Sequence, residues 1–78
     1  MEQNAVEEIK AHLIQTNEKF RELARQHHQY DEQVEALEAK YALTPEEELE
    51  EHRLKKLKLH RKDEMEQMVS EFRLQHAG

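Results

Sequence analysis

Stepping alternately by three and four residues from Val6 meets Val6, Ile9, Leu13, Thr16, Phe20, Leu23, His27, Tyr30, Val34, Leu37 and Tyr41. Nine of these eleven positions are apolar or aromatic, and the spacing holds for five heptads. A 3.5-residue period kept that long is the mark of a helix packed lengthwise on another helix. Glu, Gln, Lys and Arg fill most of the positions between, as a solvated face requires. No Gly or Pro falls within residues 3–41. The pattern predicts one helix over about 3–42, some 55 Å long at about 1.5 Å per residue. Two polar residues break the seam. Thr16 can bond back to its own helix backbone, and His27 can fix register or association state.

The stretch Leu43-Thr44-Pro45-Glu46-Glu47 predicts a helix restart. Thr44 suits an N-cap, Pro45 the first helical position, and Glu47 completes a capping box. The acids Glu46, Glu47 and Glu48 complement the positive end of the new helix dipole. The sequence therefore predicts a turn at 43–44 and a second helix over about 45–75. At 100° per residue, Leu54, Leu57, Met65, Met68 and Phe72 fall within an arc of about 80°, with Val69 at its edge. Arg61 lies inside this stripe, while Leu49 and Leu59 lie off it. So short a link favours antiparallel neighbours, pairing positions whose numbers sum to about 87. Arg61 then falls near His27, and a polar layer is expected there, the two kept apart or bridged by Asp31 or Glu64.

Composition agrees with long helices: 38% of residues are charged, 36% hydrophobic, with one Gly and one Pro. The 78 residues suffice for one domain, taken as 1–78, near the lower size for a self-sufficient core. Without Cys, no disulfide or thiolate metal site can staple it. Two helices cover only one side of each apolar residue, so further burial is expected from a second copy or another helical protein. The fold class expected is all-α: an antiparallel, coiled-coil-like hairpin that can dimerise to a four-helix bundle. Ile14, Leu49 and Leu59, off the intramolecular stripes, are the candidate contacts.

Residues 53–62, RLKKLKLHRK, hold six of the twelve basic residues. Arg53, Lys55, Lys56, Lys58, Arg61 and Lys62 project around nearly the whole helix rather than along one face, and no aromatic lies among them. A phosphate-tracking strip or stacking platform is therefore not formed. Acids on both sides offer partners instead: Glu51 for Lys55 and Lys62 for Glu66 at i to i+4, and Asp31, Glu32 and Glu35 across the hairpin. The net charge of −6 also argues against nucleic acid. An RNA- or ribosome-associated role for 53–62 is the alternative, which salt-sensitive binding would reveal.

The same stretch resembles the signature of the YdcH-like family, small bacterial helical-hairpin proteins that carry a domain-of-unknown-function label. Lys55, Lys56, Lys58, Leu59, Lys62, Asp63 and Glu64 match its pattern, and Met65 replaces a final Ile. Arg61 stands where the family usually has Leu, and Leu57 where it is commonly polar. His27-His28-Gln29-Tyr30-Asp31 is similar to a family His-x-x-Leu-Asp segment, with Tyr30 in place of Leu. The resemblance covers roughly residues 20–70. It implies an uncharacterised cytoplasmic protein and transfers no catalytic residue.

Several chemistries lack their residues. His12, His27, His28, His52, His60 and His76 show neither His-Glu-x-x-His nor the Glu-x-x-His of di-iron bundles. Glu8 with His12, Glu48 with His52, and His60 with Glu64 sit at i, i+4, a spacing that can clip a surface ion weakly and is more often an ordinary helix pair. The only Gly is Gly78 and the only Ser is Ser70, so neither a phosphate loop nor an activated nucleophile is suggested. No enzyme activity, cofactor, metal or small-molecule substrate is expected. The longest apolar run, Tyr41-Ala42-Leu43, is too short for a membrane span. The opening Met1-Glu2-Gln3-Asn4 lacks a signal-peptide pattern, so a cytoplasmic protein is expected.

Overall fold

A computed structural model describes residues 2–76, with side chains from residue 5 onward. It contains α1 (Glu2–Thr16), α2 (Glu18–Glu38) and α3 (Pro45–His76). No strand occurs among the described residues. The chain is all-α, but the single helix expected over 3–42 is two helices, divided at Asn17.

The cause is local. Asn17 takes an extended backbone, φ −127° and ψ 111°, and its side-chain oxygen accepts the Phe20 N–H at 3.0 Å. Asn is among the strongest N-cap residues, because its short amide competes with helical bonding. The interruption is confined to one residue. The Asn17 N–H still donates to the Leu13 carbonyl at 2.8 Å, and its carbonyl accepts from the Arg21 N–H at 3.0 Å. Side chains satisfy two carbonyls at the end of α1. The Thr16 hydroxyl donates to the His12 carbonyl at 2.8 Å, the back-bond expected of it. Arg21 Nε donates to the Ile14 carbonyl at 3.0 Å.

Breaking the helix changes the architecture. α2 and α3 run antiparallel, with Gln26 opposite Arg61, Asp31 opposite Lys58 and Glu38 opposite Lys55. α1 folds back onto the end of this pair remote from the α2–α3 connection. There Leu13, Phe20 and Val69 form a buried cluster, with Val6, Ile9, Met65, Met68 and Phe72 packed around it. The molecule measures 52 × 24 × 18 Å. The 32 residues of α3, about 48 Å long, account for most of the long axis. A continuous 3–42 helix would by itself exceed it.

The third helix also moves the buried face of α3. Val69, at the edge of the predicted stripe, is buried, whereas Met65, Met68 and Phe72 are only half-buried. α1 covers the flank that carries Val69. Nearer the connection, where only two helices meet, Leu54 is buried as the stripe predicts.

The connection is longer than the expected turn at 43–44, occupying residues 39–44. α2 has no basic residue in its last turn, and Glu35 and Glu38 lie near the negative end of its dipole, an unfavourable placement. The helix stops early, Lys40 forms an ion pair with Glu47, and the final seam residue, Tyr41, stands fully exposed. The restart matches expectation. Thr44 N–H donates to Glu47 Oε1 at 2.9 Å, and Glu47 N–H donates to Thr44 Oγ1 at 3.1 Å, a reciprocal capping box.

Candidate interaction surfaces

Ile14, Leu49 and Leu59 are all exposed, at 44%, 71% and 57%. They do not form one patch. Leu49 and Leu59 are ten residues apart on α3, about 15 Å along its axis, and Ile14 is on α1. Leu74, 78% exposed, is a further surface leucine that the sequence reading passed over. Its signal was available, since at 100° per residue it too falls off the apolar stripe.

A more continuous apolar feature lies at the connection end. Gln33, Ala36 and Leu37 of α2, with Glu50 and Leu54 of α3 and Lys40, line a cleft of about 310 Å³. Ala36, Leu37 and Leu54 are its apolar lining residues, and Lys40 and Glu50 its charged ones. Tyr41 and Leu49, each next in sequence to one of these residues, are exposed but do not line it.

Arg61 and His27 have separate polar neighbours. Arg61 Nε donates to Gln26 Oε1 at 2.6 Å, and Arg61 Nη1 lies 3.3 Å from Glu64 Oε1. His27 is held apart from Arg61, on the side facing Lys58. Burial, followed by the positive charge of Lys58, pushes the His27 ring below its ordinary pKa. Asp31 opposes that shift, with Lys62 and His28 adding smaller contributions in the same direction as Lys58. Glu64, on the Arg61 side, also lies 3.1 Å from His60 Nδ1.

The basic stretch is largely committed to acids of its own chain. Arg53 pairs with Glu50. Lys55 reaches Glu38 at 3.2 Å and, more loosely, Glu51 at 4.0 Å. Lys58 meets Asp31 at 2.5 Å, a hydrogen bond that is the leading cause of a lowered Asp31 pKa. The cross-helix partners therefore differ from the expected set, with Glu38 rather than Glu32 or Glu35 engaging Lys55. Among the described residues Lys56 and Lys62 have no ion pair, and the expected Lys62–Glu66 pair does not form. Of the remaining motif residues, Leu59 and Asp63 are exposed.

At the connection, Glu47 is lowered by its bonds from Lys40 and then from the Thr44 backbone. Glu22 and Glu50 are lowered chiefly by hydrogen bonds from Arg25 and Arg53. Among the described residues, no three His, Cys, Asp or Glu side chains gather as a metal site. No described helix is long and apolar enough to cross a membrane.

The family described as "Protein of unknown function (DUF465)" matches residues 20–69, more than half of the chain. The matched segment contains nearly all of α2, the connection and most of α3, while α1 lies outside it. No curated protein and no solved structure matches.

Proposed function

We propose that this chain, which belongs to the DUF465 family, is a cytoplasmic protein–protein interaction module that associates with itself through its connection end. The observation carrying this reading is the apolar cleft over Ala36, Leu37 and Leu54, which α1 does not reach. A hairpin covering one side of its apolar residues gains stability by burying the other side. The folded-back α1 supplies such cover only at the opposite end.

A second copy suits the charges of this end. On α3, the acidic run of residues 46–51 is followed by the basic run beginning at Arg53. A two-fold arrangement sets the acidic run of one protomer against the basic run of its partner, a self-complementary surface. Paired hairpins of this kind form a four-helix bundle over the cleft. The reading assigns the chain no catalytic role. An RNA- or ribosome-associated role for 53–62 has less to draw on, since its basic residues project around nearly the whole helix rather than along one face.

Sedimentation equilibrium across a concentration series tests the proposal. The native chain is expected to approach twice the monomer mass as concentration rises. Leu49→Glu, at a site exposed in the single chain, is expected to keep its helicity and remain monomeric. Leu59→Glu, farther along α3, is expected to weaken association less. A native chain that stays monomeric throughout, or a Leu49→Glu chain that still dimerises fully, contradicts the reading.

A further inference from the structure

Tyr41 closes the apolar seam and is the one member that finds no cover in its own chain. Of the nine apolar or aromatic seam residues, the other eight are buried or half-buried, whereas Tyr41 is fully exposed. A solitary apolar residue on a surface needs no explanation. A seam residue does, because the pattern sets it against a neighbour. α2 ends at Glu38, and the connection over 39–44 carries Tyr41 off the helical pair.

Close to this uncovered side chain lies an unfilled hole. Tyr41 follows Lys40, a lining residue of the cleft over Ala36, Leu37 and Leu54, so its Cα stands about 3.8 Å from that of Lys40. Tyr41 does not line this cleft itself. The cleft, of about 310 Å³, has about twice the volume of a cavity of roughly 150 Å³ that holds a benzene ring. Its polar lining residues, Gln33, Lys40 and Glu50, offer the hydrogen-bond partner that a buried tyrosine hydroxyl requires.

A knob and a hole this close together on one surface are self-complementary. A two-fold axis beside them exchanges both at once, so that each ring enters the other copy. The charged lining residues fit the same operation, with Lys40 of each copy set toward Glu50 of the other. Each already has an exposed partner in its own chain, Glu47 and Arg53, so these charges fix register more than strength.

We propose that Tyr41 of each copy inserts into the cleft over Ala36, Leu37 and Leu54 of a second copy, as the anchor of self-association. The inference rests on the connection-end reading above and names the residue that carries it. Tyrosine suits the part. It brings a large amphipathic ring with only two side-chain torsions to fix, and aromatic anchors seated in pockets dominate interface energetics.

Complementation between two variants tests the anchor. Ala36 is exposed in the single chain, so Ala36→Arg blocks the hole without disturbing the core, and Tyr41→Ala removes the knob. Both should keep native helicity by circular dichroism. In sedimentation equilibrium each alone should dimerise about thirtyfold more weakly than the native chain, since two anchoring contacts are lost. Mixed in equal amounts, the two should associate more tightly than either does alone, because the Tyr41 retained by one enters the hole retained by the other. A second readout leaves the hole intact. The chain has two tyrosines and no tryptophan, so in a Tyr30→Phe chain the emission comes from Tyr41, and acrylamide should quench it less as the dimer forms. Three results overturn the anchor while leaving the connection-end association standing: a Tyr41→Ala chain that dimerises as tightly as the native one, a mixture no tighter than its components, or quenching that stays constant while the mass doubles. A native chain that stays monomeric throughout overturns both.

Discussion

The two ends of this molecule are held by different forces. At the end remote from the connection, three helices enclose Leu13, Phe20 and Val69, and two methionines and further apolar residues seal the cluster. At the connection end, two helices meet over Val34 and Leu54, and the clasp is largely ionic: Asp31–Lys58, Glu38–Lys55 and Lys40–Glu47. Burial is not screened by salt and is weakly sensitive to pH, whereas exposed ion pairs are screened and titrate. The difference gives one end rigidity and leaves the other an open surface with adjustable charge. The proposed interaction module needs both, a stable body and an uncovered face.

The largest expected effect tests the three-helix end. Phe20 is fully buried, and Phe20→Ala should cost about 3–5 kcal/mol in urea unfolding. A cost below that of Leu54→Ala would break the comparison, for it would place the stronger packing at the wrong end. Leu54 is 1% exposed, but its two-helix surroundings can close over a void, so Leu54→Ala should cost about 2–3 kcal/mol.

Next comes Asn17→Ala, which removes the N-cap at a cost of about 1 kcal/mol. Its sharper readout is shape. If the cap directs the fold-back, α1 straightens and small-angle scattering shows a radius of gyration above the native 15.5 Å. An unchanged radius would mean that packing on Val69 alone holds α1 in place.

The smallest effects separate the ends by pH. His27 has a lowered pKa in the folded chain, so it costs nothing above the free-imidazole value of about 6.5. As pH falls below that value the unfolded chain takes up the proton first, and stability declines until the folded ring also protonates. His27→Gln should abolish this limb of the stability–pH curve. Asp31 and Glu47 also have lowered values, but as acids they contribute stability above the ordinary carboxylate range, and it is lost as pH falls through their folded values. That second limb should loosen the connection end selectively, read as faster amide exchange over residues 31–38 and 45–55.

Much of the connection end was legible in the sequence. The capping box of Thr44 and Glu47 involves residues three apart, and the a/d spacing places Val34 inside at this end, as it does Phe20 and Leu23 farther along α2, without reference to the rest of the chain. The break at Asn17 was harder to read. An Asn on a polar face costs a helix little, and only the packing of α1 against Val69 decides that it caps instead. Glu18 in the following first turn was the available hint. The helix ended early near Glu38 because its closing acids oppose the dipole, a weak effect beside the strong seam that runs through to Tyr41. The approach of Lys10 to α3 had no sequence signal, since it follows only from the fold-back.

The most direct test of the two-ended account is residue-resolved hydrogen exchange at low and high protein concentration. At low concentration, amides around Leu13, Phe20 and Val69 should exchange most slowly and those over 31–38 and 47–56 faster. Raising the concentration should slow the second group alone, as a second copy covers the connection end. Uniform protection along α2 and α3 at low concentration, or no selective slowing at high concentration, would contradict the account.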